Sequence, residues 1–223
     1  RAGAAQVEIT PRPGTHLAGG VGTYRPAQSV ADPLHAKAVV LERGGRKVCI
    51  LALDITIVTQ PWTEKIRAGA AKFGFEHDAV MVHAVQTHSA PSVGHFMLDE
   101  DFPNVPADQE WVWGGETSFY EFAAERAIEA IGLANESLQR VQIGAGSAIN
   151  GRLAFNRRGV TRDGKICMPW LYSSQQQPLG PTHIRYMEGP IDPEVGVVCM
   201  RNADGRMVAM LLHYTCHPVN VFA

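Results

Sequence analysis

The sequence has no long apolar run: no stretch approaches the roughly 18–20 residues needed to cross a bilayer, so a membrane-spanning helix is not expected. It also lacks a basic stripe. Lys and Arg number 20 against 22 Asp and Glu, scattered along the 223 residues, for a net charge of −2. Nucleic acid and anionic membrane surfaces are therefore poor partners. Cysteine is sparse. Cys49, Cys167, Cys199 and Cys216 form no C-x-x-C pair, and a disulfide scaffold is not expected at this length and spacing. Three of them lie in apolar runs (KVCILAL, GVVCM and LLHYTC) and read as buried free thiols. The familiar catalytic signatures are missing too: there is no H-E-x-x-H, no G-x-S-x-G and no phosphate loop, because LAGGVGTYRP at 17–26 has no lysine after its glycines.

What the sequence does contain is turn chemistry, with 22 glycines and 14 prolines. Residues 4–10 alternate and end at a proline. Residues 35–42 and 46–53 are β-rich runs around Arg43-Gly44-Gly45, a hairpin signal. Pro61 opens a helix that Gly74 stops. AVMVHAVQ, 79–86, is a strand, and the acidic, aromatic stretch 96–115 is a long loop. A helix spans about 117–138, with Ser118 and Glu121 placed for a capping box and Phe119, Phe122, Ala123, Ile128 and Ile131 as its apolar stripe. Strands follow at 141–149, at an Asp-Gly turn in GVTRDGKI, and in EVGVVCMRN and RMVAMLLHYT around Ala203-Asp204-Gly205. A long loop runs through SSQQQPLGPTH. Hairpins mixed with helices predict an α/β chain of the mixed, α+β-like kind, its mixed sheets flanked by helices. A layered α-β-β-α sandwich is the candidate architecture.

Polar residues gather at strand ends, where sites are often built. In Gln86-Thr87-His88-Ser89 an extended chain would put Gln86 and His88 on one face, with His83 a structural residue on the other. His213 and His217 share parity, and Pro218 holds His217 extended; an imidazole there suits zinc, while Cys216 faces the core. Asn156-Arg157-Arg158 offers a guanidinium able to clamp an oxyanion, or else a solvated turn. Asp192-Pro193-Glu194 reads as a turn capped by its own acids.

Taken in order, the glycine-rich loop after VEITP, ADPLHAKAVVLE, LALD, THSAP, FNRR, GPIDPEVGV and CHP resemble the N-terminal half of the neutral/alkaline non-lysosomal ceramidase family. The resemblance implies a zinc-dependent hydrolase of an amide bond in a small-molecule or lipid-like substrate. It implies His88 and His217 as metal ligands, and His88, Arg157 and Asn156 as catalytic residues. Gly19, Gly20, Gln86 and Arg157 are the candidate substrate-binding residues. Where the family keeps the first histidine of its paired motif, this sequence has Gln86, a weaker zinc ligand than imidazole or thiolate.

Residues 1–223 are read as a single catalytic-type domain, the N-terminal part of a longer protein. A C-terminal half or a second chain would complete it. The missing initiator Met and the resemblance lean toward a secreted or periplasmic protein. Two alternatives stand beside the metallohydrolase. One is the first subunit of a self-cleaved hydrolase whose second chain begins with a nucleophile. The other is a catalytically degenerate homologue that binds ligands.

Overall fold

The structure, a computed structural model, describes residues 1–20, 22–98, 101–106, 108–167 and 184–218. The whole SSQQQPLGPTH loop with its Gln175–Gln177 run, and two of the three acids at 99–101, lie outside these residues. The chain divides into two compact units. The first comprises Arg1–Gly144 and Cys199–Met210, together with Pro218. The second comprises Ala145–Val198 and Leu211–His217.

The first unit is built on strands β1 (Ala2–Glu8), β2 (His35–Arg43), β3 (Arg46–Leu53) and β4 (Val80–Ala84) and helices α1 (Gln60–Ala70) and α2 (Thr117–Glu136). Its sheet runs in the order β1-β2-β3-β4. The β1–β2 and β2–β3 pairs are antiparallel and β3–β4 is parallel, so the sheet is mixed as the hairpin signal predicts. Gly44 and Gly45 form the two-residue β2–β3 turn, both at positive φ (59° and 79°), where a Cβ would be strained. Alternation then sets the core. Ala36, Ala38 and Val40 of β2 sit opposite Leu53, Leu51 and Cys49 of β3, and Cys49 opposite Val80 of β4. All seven are buried.

Against this face α2 lays Ala123, Ala127, Ala130 and Ala134, spaced three and four apart, with Ile131 beside them. The small side chains let the helix approach closely, and Ile66 and Ala70 of α1 close the same core. Gly74, at φ 81°, ends the turn that follows α1, as the sequence predicts.

Several expectations change. Ser118 and Glu121 form no capping box, because the helix begins two residues earlier than that motif requires. Glu116 holds the N-cap position, and Glu110 Oε1 accepts the Thr117 N–H at 2.8 Å. Phe122 is exposed at the edge of the stripe. His83, read as a structural residue, is exposed on β4.

Strands β5 (Gln142–Ile149), β9 (Glu194–Arg201) and β10 (Met207–Tyr214) form a three-stranded sheet in the order β10-β9-β5. The turn from Asn202 to Arg206 joins β9 and β10, with Gly205 at φ 77°. In the second unit β6 (Gly159–Thr161) pairs antiparallel with both β7 (Ile166–Cys167) and β8 (Ile184–Met187). Strand β10 stops at Tyr214, and the Cys216 N–H turns back to Tyr214 O at 2.9 Å. The parity argument for His213 and His217 therefore fails, since the chain is no longer extended between them. Cys216 is exposed for the same reason.

Candidate active site

The parallel pair β3–β4 opens and then closes again around the segment 86–90. Beyond β4, Val85 N–H reaches Leu53 O at 3.0 Å and Gln86 N–H reaches Ile55 O at 3.1 Å. Pairing resumes when Thr56 N–H finds Pro91 O (3.0 Å) and Val93 N–H finds Ile57 O (2.8 Å). The five residues between are looped out, and Gln86 begins the excursion with φ 63°. That left-handed backbone breaks period two, so Gln86 and His88 do not share a strand face as an extended chain would require. The loop is stapled from beneath by buried Thr56, whose Oγ1 lies 2.9 Å from Thr87 O and 2.8 Å from Ala90 O.

A second segment locks onto this one. Ala18 N–H donates to Ala90 O at 3.0 Å. The His88 ring donates through Nδ1 to Gly19 O at 2.8 Å. A carbonyl can only accept, so the proton sits on Nδ1, and in the neutral ring Nε2 carries the lone pair. Gly19 is required by close approach: a Cβ there would stand 2.0 Å from His88 O and 2.5 Å from its Cα. Arg25 Nη1 reaches His88 O at 3.4 Å, and its side chain packs beside Gly20. Gly19, Gly20, Gln86 and His88 are thus brought together by two interlocked loops.

Behind them lies a residue that sequence reading passed over. His16 is fully buried, its ring stacked on Tyr24 (5.7 Å between centroids) and tilted against Trp111 (5.6 Å). Its Nδ1 accepts the Arg25 N–H at 3.2 Å, which puts the proton on Nε2, where no partner is found among the described residues. Burial first, and then the Arg25 charge, push its pKa below the usual imidazole value, so the ring is neutral at pH 7. Its own N–H donates to Glu116 Oε1 at 2.8 Å. Trp111 is committed to this cluster, and Trp113 stacks on His95 at 5.5 Å. The signal for His16 was its position next to the glycine loop, but it belongs to no strand end.

The remaining candidates belong to the second unit. Asn156 Oδ1 accepts the Arg158 N–H at 2.8 Å, a side-chain turn that carries Arg157 at its centre. Arg158 Nε donates to the Glu188 carboxylate, whereas half-buried Arg157 has no ion pair or hydrogen bond among the described residues. His217 is half-buried just before Pro218. The acids of Asp192-Pro193-Glu194 cap their own turn, with Glu194 N–H bonded to Asp192 Oδ1 at 3.0 Å.

Among the described residues no three His, Cys, Asp or Glu side chains gather as a metal ion would need. The exposed Gln86 adds only an amide to this neighbourhood. The described residues by themselves therefore do not fit a zinc site. The unit-one junction instead supplies an imidazole of fixed tautomer, suited to accept a proton or to ligate.

Comparison with known proteins gives no matching family model and no matching curated protein. Solved structures do match. Neutral ceramidase from Pseudomonas aeruginosa superimposes with a TM-score of 0.64 at 21% identity, over 95% of this chain and 31% of that one. A ceramidase complexed with C2 gives a TM-score of 0.62 at 20% identity, over 95% and 30%. The chain spans about a third of the length of these ceramidases, and over that third it has the neutral ceramidase fold.

Proposed function

We propose that this chain carries part of the active site of a ceramidase-like hydrolase, which splits an amide bond in a lipid-like or small polar N-acyl substrate. The observation that carries the reading is the His88–Gly19 junction, set in a chain with the ceramidase fold over 95% of its length. His88 takes the role of general base. Its Nε2 accepts a proton as a water oxygen bonds to the amide carbon, and returns that proton to the leaving nitrogen as the C–N bond breaks. The products are a carboxylic acid and an amine. Arg157 is assigned to the substrate's negative oxygen, a role that suits a guanidinium engaged by no carboxylate among the described residues. Asn156 acts through the turn it closes. Gln86, Gly19 and Gly20 bound the substrate beside His88.

The test is hydrolysis of a fluorogenic N-acyl amide and of a short-chain ceramide by the intact protein, with metal content measured on the same sample. His88→Ala should lower turnover at least about 100-fold, the usual contribution of a positioned general base. A His88→Ala protein that folds normally and keeps full turnover refutes the assignment. Saturable substrate binding without turnover, in protein purified with or without added zinc, points instead to the degenerate ligand-binding homologue.

A further inference from the structure

A second site lies at the start of α2, on residues that take no part in the His88 junction. A cavity of about 190 Å³ opens there, walled by Pro11, Phe119 and Phe122. Its polar lining consists of Thr10, Thr15, Ser118 and Arg12. Among the described residues the one charged group in that lining is the cation Arg12, and no carboxylate lines the cavity.

The donors are arranged with little left to satisfy them internally. Thr10 Oγ1 already accepts the Leu34 N–H at 3.1 Å, so its own proton is available to a ligand. Thr15 is 8% exposed, and among the described residues its hydroxyl has no hydrogen-bond partner. Thr15 is thus nearly buried as a residue, while its hydroxyl lines the cavity and is open to a ligand there.

The helix adds a main-chain donor. Of the first four amides of α2, Thr117 is taken by Glu110 Oε1, while Phe119 and Tyr120 both reach Glu116 O. Among the described residues only the Ser118 N–H is left over, and Ser118 lines the cavity. The two carboxylates near this end are directed elsewhere, Glu110 to Thr117 and Glu116 to the His16 N–H. A 20-residue helix directs the positive end of its dipole at this point.

We infer that this cavity binds a small oxyanion carried on an apolar stem. The anionic head would be met by Arg12, Thr15 and Ser118, and the stem by Pro11, Phe119 and Phe122. Heads of carboxylate and phosphate type share this chemistry.

Two-dimensional amide NMR of the intact protein, titrated separately with sodium hexanoate, inorganic phosphate and 1-hexanol, tests it. Hexanoate should shift the Thr15, Ser118 and Phe119 resonances saturably, phosphate should do so more weakly, and hexanol should not saturate. Arg12→Gln, at an exposed position, should weaken hexanoate about tenfold, the scale of one charge-assisted bond. Thr15→Val should weaken it as well, yet leave the unfolding temperature unlowered, since the hydroxyl removed has no partner to lose. Hexanol binding as tightly as hexanoate, or hexanoate binding unchanged by both variants, overturns the inference. Amide hydrolysis is read in a separate assay, so failure here leaves the proposed function standing.

Discussion

Gly19→Ala is the sharpest probe of the interlocked loops. Gly19 does not have a positive φ, so the substitution adds no backbone strain of its own. Its effect would come from space alone. The new methyl would sit 2.0 Å from His88 O, 2.5 Å from its Cα and 2.6 Å from its carbonyl carbon. These are backbone atoms, held from the far side by the Thr56 staple, and they cannot swing away as a side-chain tip can. Forcing an extra methyl into such a contact costs about 1–3 kcal/mol. Displacing the loop also breaks the Gly19–His88 bond, a further loss of about 0.5–1.5 kcal/mol. Together these give a destabilisation of roughly 2–4 kcal/mol, read as a urea midpoint lowered by about 1–2 M.

Gly20→Ala is the internal control. Its methyl would meet only the flexible Arg25 side chain, at 3.1 Å from Cδ, and should cost about 0.5 kcal/mol or less. The His88 tautomer, followed by long-range nitrogen NMR, should change in Gly19→Ala and not in Gly20→Ala. Equal stability of the two variants, with Nδ1 still protonated in both, would refute the reasoning.

Other outcomes follow from the same geometry. His16 has a lower pKa folded than unfolded, so between the two values the unfolded chain holds the extra proton; stability is full above the unfolded value near 6.5 and is lost as pH falls through it. His77 works in the opposite sense, its pKa raised by Asp78 first and then Glu64, so unfolding against pH should be followed in a His77→Gln background; an acid slope that persists unchanged after His16→Gln would sink the assignment. Burial pushes the Cys49 thiol up to about 12, while Cys216 is exposed; iodoacetamide at neutral pH should label Cys216 and spare Cys49 until the protein is denatured, as peptide mass spectrometry would read. Gln86→Gly should raise stability by about 0.5–1 kcal/mol, because glycine adopts the left-handed region without steric cost, and a fall in the melting temperature would contradict it.

The framework of unit one was legible where turn chemistry and period agree. Gly44-Gly45 marked its hairpin, Pro61 and Gly74 marked the start of α1 and the end of the turn after it, and the apolar run 46–53 marked Cys49 as a buried thiol. The helix cap was misread because Ser118 and Glu121 fit a local pattern, while the bond that starts α2 comes from Glu110, seven residues before Thr117 and invisible to a four-residue window. The end of β10 was misread because apolar content continued to Cys216 while the backbone had already turned. The candidate site was half legible. His88 stood out at a strand end, but its lock is a carbonyl 69 residues away, and main-chain acceptors leave no mark on a sequence. His16, Thr56 and Arg25 were missed because their roles depend on tertiary neighbours.

Gln86 is where these two kinds of information meet. Its left-handed backbone costs on the order of 1 kcal/mol relative to glycine, and the surrounding bonds impose it. Gln86 N–H is held by Ile55 O, and Thr87 O by Thr56 Oγ1, so residue 86 must turn there whatever its side chain. The backbone would be served better by Gly or Asn. A long polar side chain kept on such a turn, exposed beside His88, is therefore not explained by the fold, and strain of this kind concentrates where a side chain is needed for function. An amide can both donate and accept a hydrogen bond, which matches the two faces of the bond it is proposed to help bind. The left-handed backbone and exposed amide of residue 86 are what support its proposed place as a substrate contact. The proposed chemistry of the junction then rests on His88 and the Gly19 carbonyl that fixes its proton.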